Sequence, residues 1–202
     1  MPWQIERWTG IDRLAIEGGV VVEEPLEIRL DGRPVAVLMR TPGMEKELAV
    51  GFVLGEGIVA NLEDIALVRH CGRAVPDEAA EGDALDESRN LVDVTLMPSS
   101  IARYQAGEVL EWIRSGCGRA EVAHLVQDLS PIKSDAKVSL SVLPPLLGRF
   151  TRQQAADRVA GGIHAGAVCV SRGRRCVVCE VVGRLNGVDR AVGDCLRGGL
   201  SL

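Results

Sequence analysis

Of the six cysteines in the sequence, at positions 71, 117, 169, 176, 179 and 195, only Cys117 stands between glycines, in Ser115-Gly116-Cys117-Gly118. Glycine neighbours expose a sulfur and let a substrate approach the backbone, and the nearby guanidinium groups of Arg114 and Arg119 favour the thiolate, the form that attacks. Cys117 is therefore the candidate nucleophile, with an ordinary loop cysteine as the alternative. Cys176-Val-Val-Cys179 has CxxC spacing but lies in a segment that reads as a strand, where residues three apart point to opposite faces. Those thiols are expected to pack in the core rather than share a metal, and all six cysteines to be reduced. Gly161-Gly162-Ile163-His164 leads into a strand, and His164 is either a ligand-contacting residue or a hydrogen-bonded core or edge histidine. Gly183-Arg184-Leu185-Asn186 opens a helix after a strand. Its free N–H groups, helix dipole and Arg184 suit an anion, while a plain N-terminal turn capped by Asn186 is the alternative. His70 and His124 have no acidic or cysteine partner at ligand spacing, so no metal site is expected.

The elements that must hold these residues are partly visible in the pattern. Pro25–Leu30 alternates apolar and charged residues, Asp31-Gly32 marks a turn, and Val35–Met39 returns, which predicts a hairpin. Thr41-Pro42-Gly43-Met44-Glu45-Lys46-Glu47 reads as a helix start with a capping threonine, a proline in the first turn and early acids. Leu48, Phe52 and Gly55 continue at helical spacing. Residues 72–89 read as a surface loop, and Asn90–Met97 as another alternating strand. Beyond Ser115 a short helix is expected around 120–129 and a longer one over 145–159, with Leu146, Phe150 and Val159 inward and a stop at Gly161-Gly162. His164–Val170 and Cys176–Val182 form two apolar runs around the basic turn Ser171–Arg175. In the last element Leu185, Val188, Val192 and Cys195 recur at helix spacing.

Composition bounds what such elements can make. The 202 residues are 47% apolar and 3% aromatic, enough to bury a core in one large or two small domains. No apolar run approaches the roughly 20 residues that cross a bilayer, and Met1–Gly10 has no signal-peptide apolar region. A soluble cytoplasmic protein is expected. The net charge of −5 hides an asymmetry, with residues 149–202 basic and the rest acidic. A basic last quarter suits a phosphate-bearing ligand or is a solvated face. A single-strand nucleic-acid surface needs aromatic platforms, and that quarter offers only Phe150.

Several segments, in order, resemble the formate dehydrogenase accessory sulfurtransferase family, FdhD/NarQ. They are Glu23-Glu-Pro-Leu-Glu-Ile28, Arg40-Thr-Pro-Gly43, Glu47–Ile58, Asn90–Leu96, Gly161-Gly-Ile-His-Ala165 and Val182-Gly-Arg-Leu-Asn186. The resemblance implies an α/β fold of the α+β kind. An N-terminal mixed α/β domain over 1–115 would precede a truncated cytidine-deaminase-like domain without zinc over 116–202. It implies a sulfurtransferase that accepts persulfide sulfur from a cysteine desulfurase on Cys117. The sulfur would pass to the molybdenum cofactor, bis-molybdopterin guanine dinucleotide, to activate formate dehydrogenase. Gly161, Gly162, His164, Gly183, Arg184 and Asn186 would contact that cofactor, with no metal of the protein's own. The implied partners are the desulfurase, formate dehydrogenase and a second copy of the chain, with neither nucleic acid nor membrane. The alternative is a cofactor-binding chaperone or an inactive truncated homologue. Members usually carry Cys-Gly-x-Cys-Gly; with Cys117 in the first place Ala120 holds the second, and with Cys117 in the second Arg114 holds the first. The family's Gly-Arg-His-Asn is Gly183-Arg-Leu-Asn186 here, and this chain stops at Leu202 where the family continues. Zinc deaminase chemistry needs His-x-Glu and Pro-Cys-x-x-Cys, whereas Gly166 follows His164-Ala165 and Cys176 lacks the proline.

Overall fold

The structure is a computed structural model that describes residues 2–70, 87–105, 113–114, 134–135, 137–170 and 175–199. Asp31 and Gly32 both take positive φ, 48° and 77°, and close the hairpin of β3 (Glu24–Leu30) and β4 (Arg33–Arg40). The register slips between Ile28 and Arg29, next to Pro34, which has no N–H to give a ladder. This hairpin is the centre of a five-stranded sheet ordered β5-β6-β3-β4-β7. β5 (Ile65–His70), β6 (Leu91–Leu96) and β7 (Ile113–Arg114) add a parallel pairing on either side and an antiparallel edge. Before it, β1 (Pro2–Thr9) and β2 (Asp12–Gly19) form a separate hairpin that exposes Trp3 and Trp8.

Leu26, Ile28 and Leu30 of β3 and Val92, Val94 and Leu96 of β6 point to one face of the sheet. On that face lies α1 (Glu45–Gly55), with Leu48, Ala49, Phe52 and Val53 in the core. Val50 and Gly51 are buried as well, because a second helix covers the side of α1 away from the sheet. α2 (Pro98–Gln105) follows β6. The helix expected over 145–159 is two helices, α3 (Leu143–Gln153) and α4 (Ala155–Ala160), broken at Gln154. The break arises because the Glu180 carboxylate accepts hydrogen bonds from the N–H groups of Ala156 and Asp157, at 3.0 and 2.8 Å, and so starts a new helix. Val159, expected to point inward, is 68% exposed. α4 does stop at Gly161 and Gly162, both in the left-handed region.

β8 (His164–Val170) and β9 (Arg175–Val181) pair as an antiparallel hairpin. α5 (Arg184–Arg197) then crosses between that hairpin and α1. Its inward face keeps only part of the apolar stripe of the sequence pattern, with Cys195 buried and Val192 half-buried. Leu185 and Val188 are 64% and 51% exposed, while Asn186, Gly187, Arg190, Ala191, Gly193 and Cys195 are buried. Small residues are required there: a Cβ at Gly51 would collide with the carbonyl oxygen of Asp189, and one at Gly193 with that of Glu47. The fold is thus mixed α/β, and no helix among the described residues is long and apolar enough to cross a membrane.

The expectation that all cysteines are reduced is corrected at one pair. The β8–β9 register sets Cys169 opposite Cys176, and the two are joined in a disulfide. Cys179, on the other face of β9, is buried and outside any disulfide as expected, and Cys195 is likewise buried and not disulfide-bonded.

Candidate functional site

The end of β4 and the loop into α1 meet the end of β9 and the start of α5, bringing together segments roughly 140 residues apart. Thr41 was expected to cap α1. Its hydroxyl oxygen instead accepts the N–H of Val182 at 3.1 Å, and the residue preceding the helix is Met44 at φ 56°. The Glu45 carboxylate accepts the Gly43 N–H at 2.6 Å, which ties the incoming loop to the first turn of α1, and no side chain caps the helix itself. Asn186 does not cap α5 either: its side-chain amide donates to the carbonyl of Met39 at 2.7 Å, and the residue is 5% exposed. One turn on, Arg190 donates to the carbonyl of Thr41.

Beneath this seam is a buried ion cluster. Arg40, 1% exposed, pairs with Glu24 at 3.0 Å and with Glu45 at 3.3 Å, and donates to Asn90 Oδ1 at 3.0 Å. Glu24 also pairs with Arg89. Burial pushes the Arg190 guanidinium below its usual range, an effect opposed chiefly by Glu45. The Cys179 thiol beside it is pushed up to about 11, by burial first, with Arg190 opposing and Asp194, Cys195 and Glu47 adding. Cys179 is therefore a neutral thiol at physiological pH, not a nucleophile. Cys195 is fully buried.

The sequence-predicted contact residues fall at one end of the β8–β9 hairpin. Gly161 and Gly162 end α4, and His164 opens β8 opposite Val181. Two residues later Gly183 precedes α5 and Arg184 begins it. His164 and Arg184 are exposed, whereas Asn186 is turned inward to hold α5 against β4. Cys117 and Arg119 lie outside the described residues, as does the helix expected at 120–129, and only the backbone of Arg114 is described, in β7. With Cys169 and Cys176 bonded and Cys179 and Cys195 buried, no described cysteine offers a free exposed thiol. Among the described residues no group of three or more His, Cys, Asp or Glu side chains is placed to hold a metal ion.

A model of the FdhD/NarQ family matches residues 21–202. The chain belongs to the FdhD/NarQ family. A relative from Anaeromyxobacter dehalogenans strain 2CP-1, named sulfur carrier protein FdhD, is 36% identical over 185 residues, covering 92% of this chain. A protein of the same name from Mycobacterium tuberculosis H37Rv is 38% identical over 180 residues, covering 86%. The chain spans 63% of the length of each. A solved structure from Desulfotalea psychrophila, assigned as a formate dehydrogenase accessory protein, shares the fold with a TM-score of 0.68 at 17% identity. That match covers all of this chain and 70% of the other. Of the FdhD/NarQ motifs, Thr41 and Asn186 thus join the end of β4 to the start of α5, Glu24 and Arg40 pair beneath that seam, and His164 and Arg184 are left facing outward.

One carboxyl in this seam titrates near neutrality. Burial, and secondarily Glu56, raise the Asp189 carboxyl from the ordinary 3.8 to about 6. A folded-state value above the unfolded one means that protonation favours folding. This contribution is complete below pH 3.8 and lost as pH rises through 6. Asp189→Asn should therefore gain stability over the wild type at pH 7.5 by about 2 kcal/mol, allowing for solvent screening, and little at pH 4. Urea denaturation at both pH values reads the difference; an equal effect at the two would refute the assignment.

Proposed function

We propose that this chain is a cytoplasmic sulfur carrier that takes sulfur from a cysteine desulfurase as a persulfide on Cys117. It would pass that sulfur to the bis-molybdopterin guanine dinucleotide form of the molybdenum cofactor, activating formate dehydrogenase. The observation that carries this reading is the FdhD/NarQ match over residues 21–202, with relatives named sulfur carrier proteins. In the loading step the Cys117 thiolate attacks the outer sulfur of the desulfurase persulfide. The S–S bond of the donor breaks, its cysteine leaves as a thiolate, and Cys117 keeps the transferred sulfur. A glycine-flanked thiol can meet two partners in turn, and neither buried described thiol can take its place. Exposed His164 and Arg184, with the free N–H groups at the start of α5, would receive the anionic cofactor as the sulfur acceptor. Gly161, Gly162 and Gly183 would let it approach the backbone, and Asn186 would hold the helix start in place.

Incubation with a cysteine desulfurase and cysteine, followed by intact mass, tests the reading. The wild type should gain one sulfur atom and Cys117→Ser none. No gain on the wild type would favour the cofactor-binding chaperone or inactive homologue, and equal gain in the variant would place the sulfur elsewhere.

A further inference from the structure

The register of β8 and β9 places Cys169 and Cys176 directly across from one another, with Cα atoms 4.1 Å apart and the sulfurs bonded. Cys169 is exposed and Cys176 half-buried, so the bond lies on a face of the hairpin open to solvent, more so at Cys169. The two are only seven residues apart in sequence, so the bond removes little freedom from the unfolded chain. The hairpin has other support: α5 packs against it, Gly166 lying on Gly187 so closely that a Cβ would meet backbone. The bond can therefore open without loss of the fold. The residues between the cysteines include Arg172, Arg174 and Arg175 and no acid. Arg175 adjoins Cys176 in sequence, and a cation near a departing thiolate stabilises it. A bond of this kind, short-looped and accessible, is characteristic of exchange rather than structural bracing in a reducing compartment.

We propose that Cys169 and Cys176 form a thiol–disulfide exchange site, separate from Cys117, whose co-reactants are small thiols and their disulfides. An incoming thiolate attacks Cys169 Sγ and the S–S bond breaks. Its electron pair leaves on Cys176 Sγ, which takes a proton from water. A second thiolate attacks the external sulfur of the mixed disulfide and releases the Cys169 thiolate. Two thiols become one disulfide and the protein pair becomes a dithiol; an external disulfide reverses the sequence.

The test uses the folded wild-type chain, air-oxidised, with glutathione as the probe and iodoacetamide as the quench, read by peptide mass. Both cysteines should be unlabelled before reduced glutathione and labelled after it. At intermediate times the glutathione adduct should sit on Cys169, while Cys179 and Cys195 stay unlabelled. Cys117→Ser should exchange as the wild type does. Labelling of both cysteines before glutathione, reduction only once urea unfolds the chain, or loss of exchange in Cys117→Ser would each overturn the proposal.

Discussion

Gly51→Val will separate α5 from α1, and Gly193→Val will do the same from the opposite helix. The added Cβ at either site meets a backbone carbonyl, of Asp189 in one case and Glu47 in the other, not the movable end of a side chain. Neither helix can relieve the collision locally. α1 is fixed to the sheet through Leu48, Ala49, Phe52 and Val53, and α5 is fixed to β8 at Gly187. Separation exposes Ala191 and Cys195 and breaks the bonds from Asn186 to Met39 and from Arg190 to Thr41. The expected loss is about 3 kcal/mol or more, the upper end for overpacking, out of a total of the order of 5–15. Urea denaturation measures the loss, and alkylation of Cys195 in native buffer reports the opening itself. Gly148→Ala, in the exposed helix α3, is the control. Its Cβ meets only the far end of Arg152 at 3.4 Å, so stability should hold or rise. If both valine variants match that control, the close crossing is wrong.

That crossing also explains where the sequence was a good guide and where it was not. The β3–β4 hairpin was legible because its determinant, Asp31-Gly32, is local. α1 was legible as a helix, but its cap was not, since the partner of Thr41 is Val182, far along the chain. The same holds for the break at Gln154, which depends on Glu180 reaching back from β9. In α5 the apolar spacing pointed to Leu185 and Val188, whereas the buried stripe is small and polar. Hydrophobic periodicity finds faces that bury area; it misses faces selected for close approach and for bonds to a neighbour's carbonyls. A glycine at 51, 187 and 193 within otherwise helical segments was the available signal. The Cys169–Cys176 pair could also have been found, because the two flank the predicted turn at 171–175 almost symmetrically, and an antiparallel hairpin makes such positions neighbours. The candidate contact residues His164 and Arg184 were named from motif alone, and their shared end of the hairpin follows from strand register, which motif spacing does not supply.

Arg40→Ala should be as damaging as the glycine variants, for an electrostatic reason. The guanidinium joins four partners: Glu24 and Glu45 as ion pairs, and Asn90 Oδ1 and the Arg89 carbonyl as acceptors at 3.0 and 3.4 Å. Truncation takes from Glu45, 11% exposed, its ion-pair partner, leaves Glu24, 16% exposed, with Arg89 alone, and opens a cavity beside α1. Removing one member of a buried ion pair costs about 3–5 kcal/mol, mostly through the charge left behind. Arg40→Lys should recover only part of this, because one ammonium cannot match a planar fork with several acceptors. Salt separates this cluster from surface pairs. The exposed Arg13–Glu6 pair is screened, so its variant should lose nothing measurable, whereas the Arg40→Ala deficit should persist at high salt. Chemical denaturation at low and high salt decides it, and a deficit under about 1 kcal/mol, or one that salt abolishes, would contradict the cluster. Sulfur loading completes the argument: if Arg40 serves the fold and not the reaction, Arg40→Lys protein that remains folded should load sulfur at Cys117 as the wild type does. Loss of loading in folded Arg40→Lys would instead put the cluster within the reacting site.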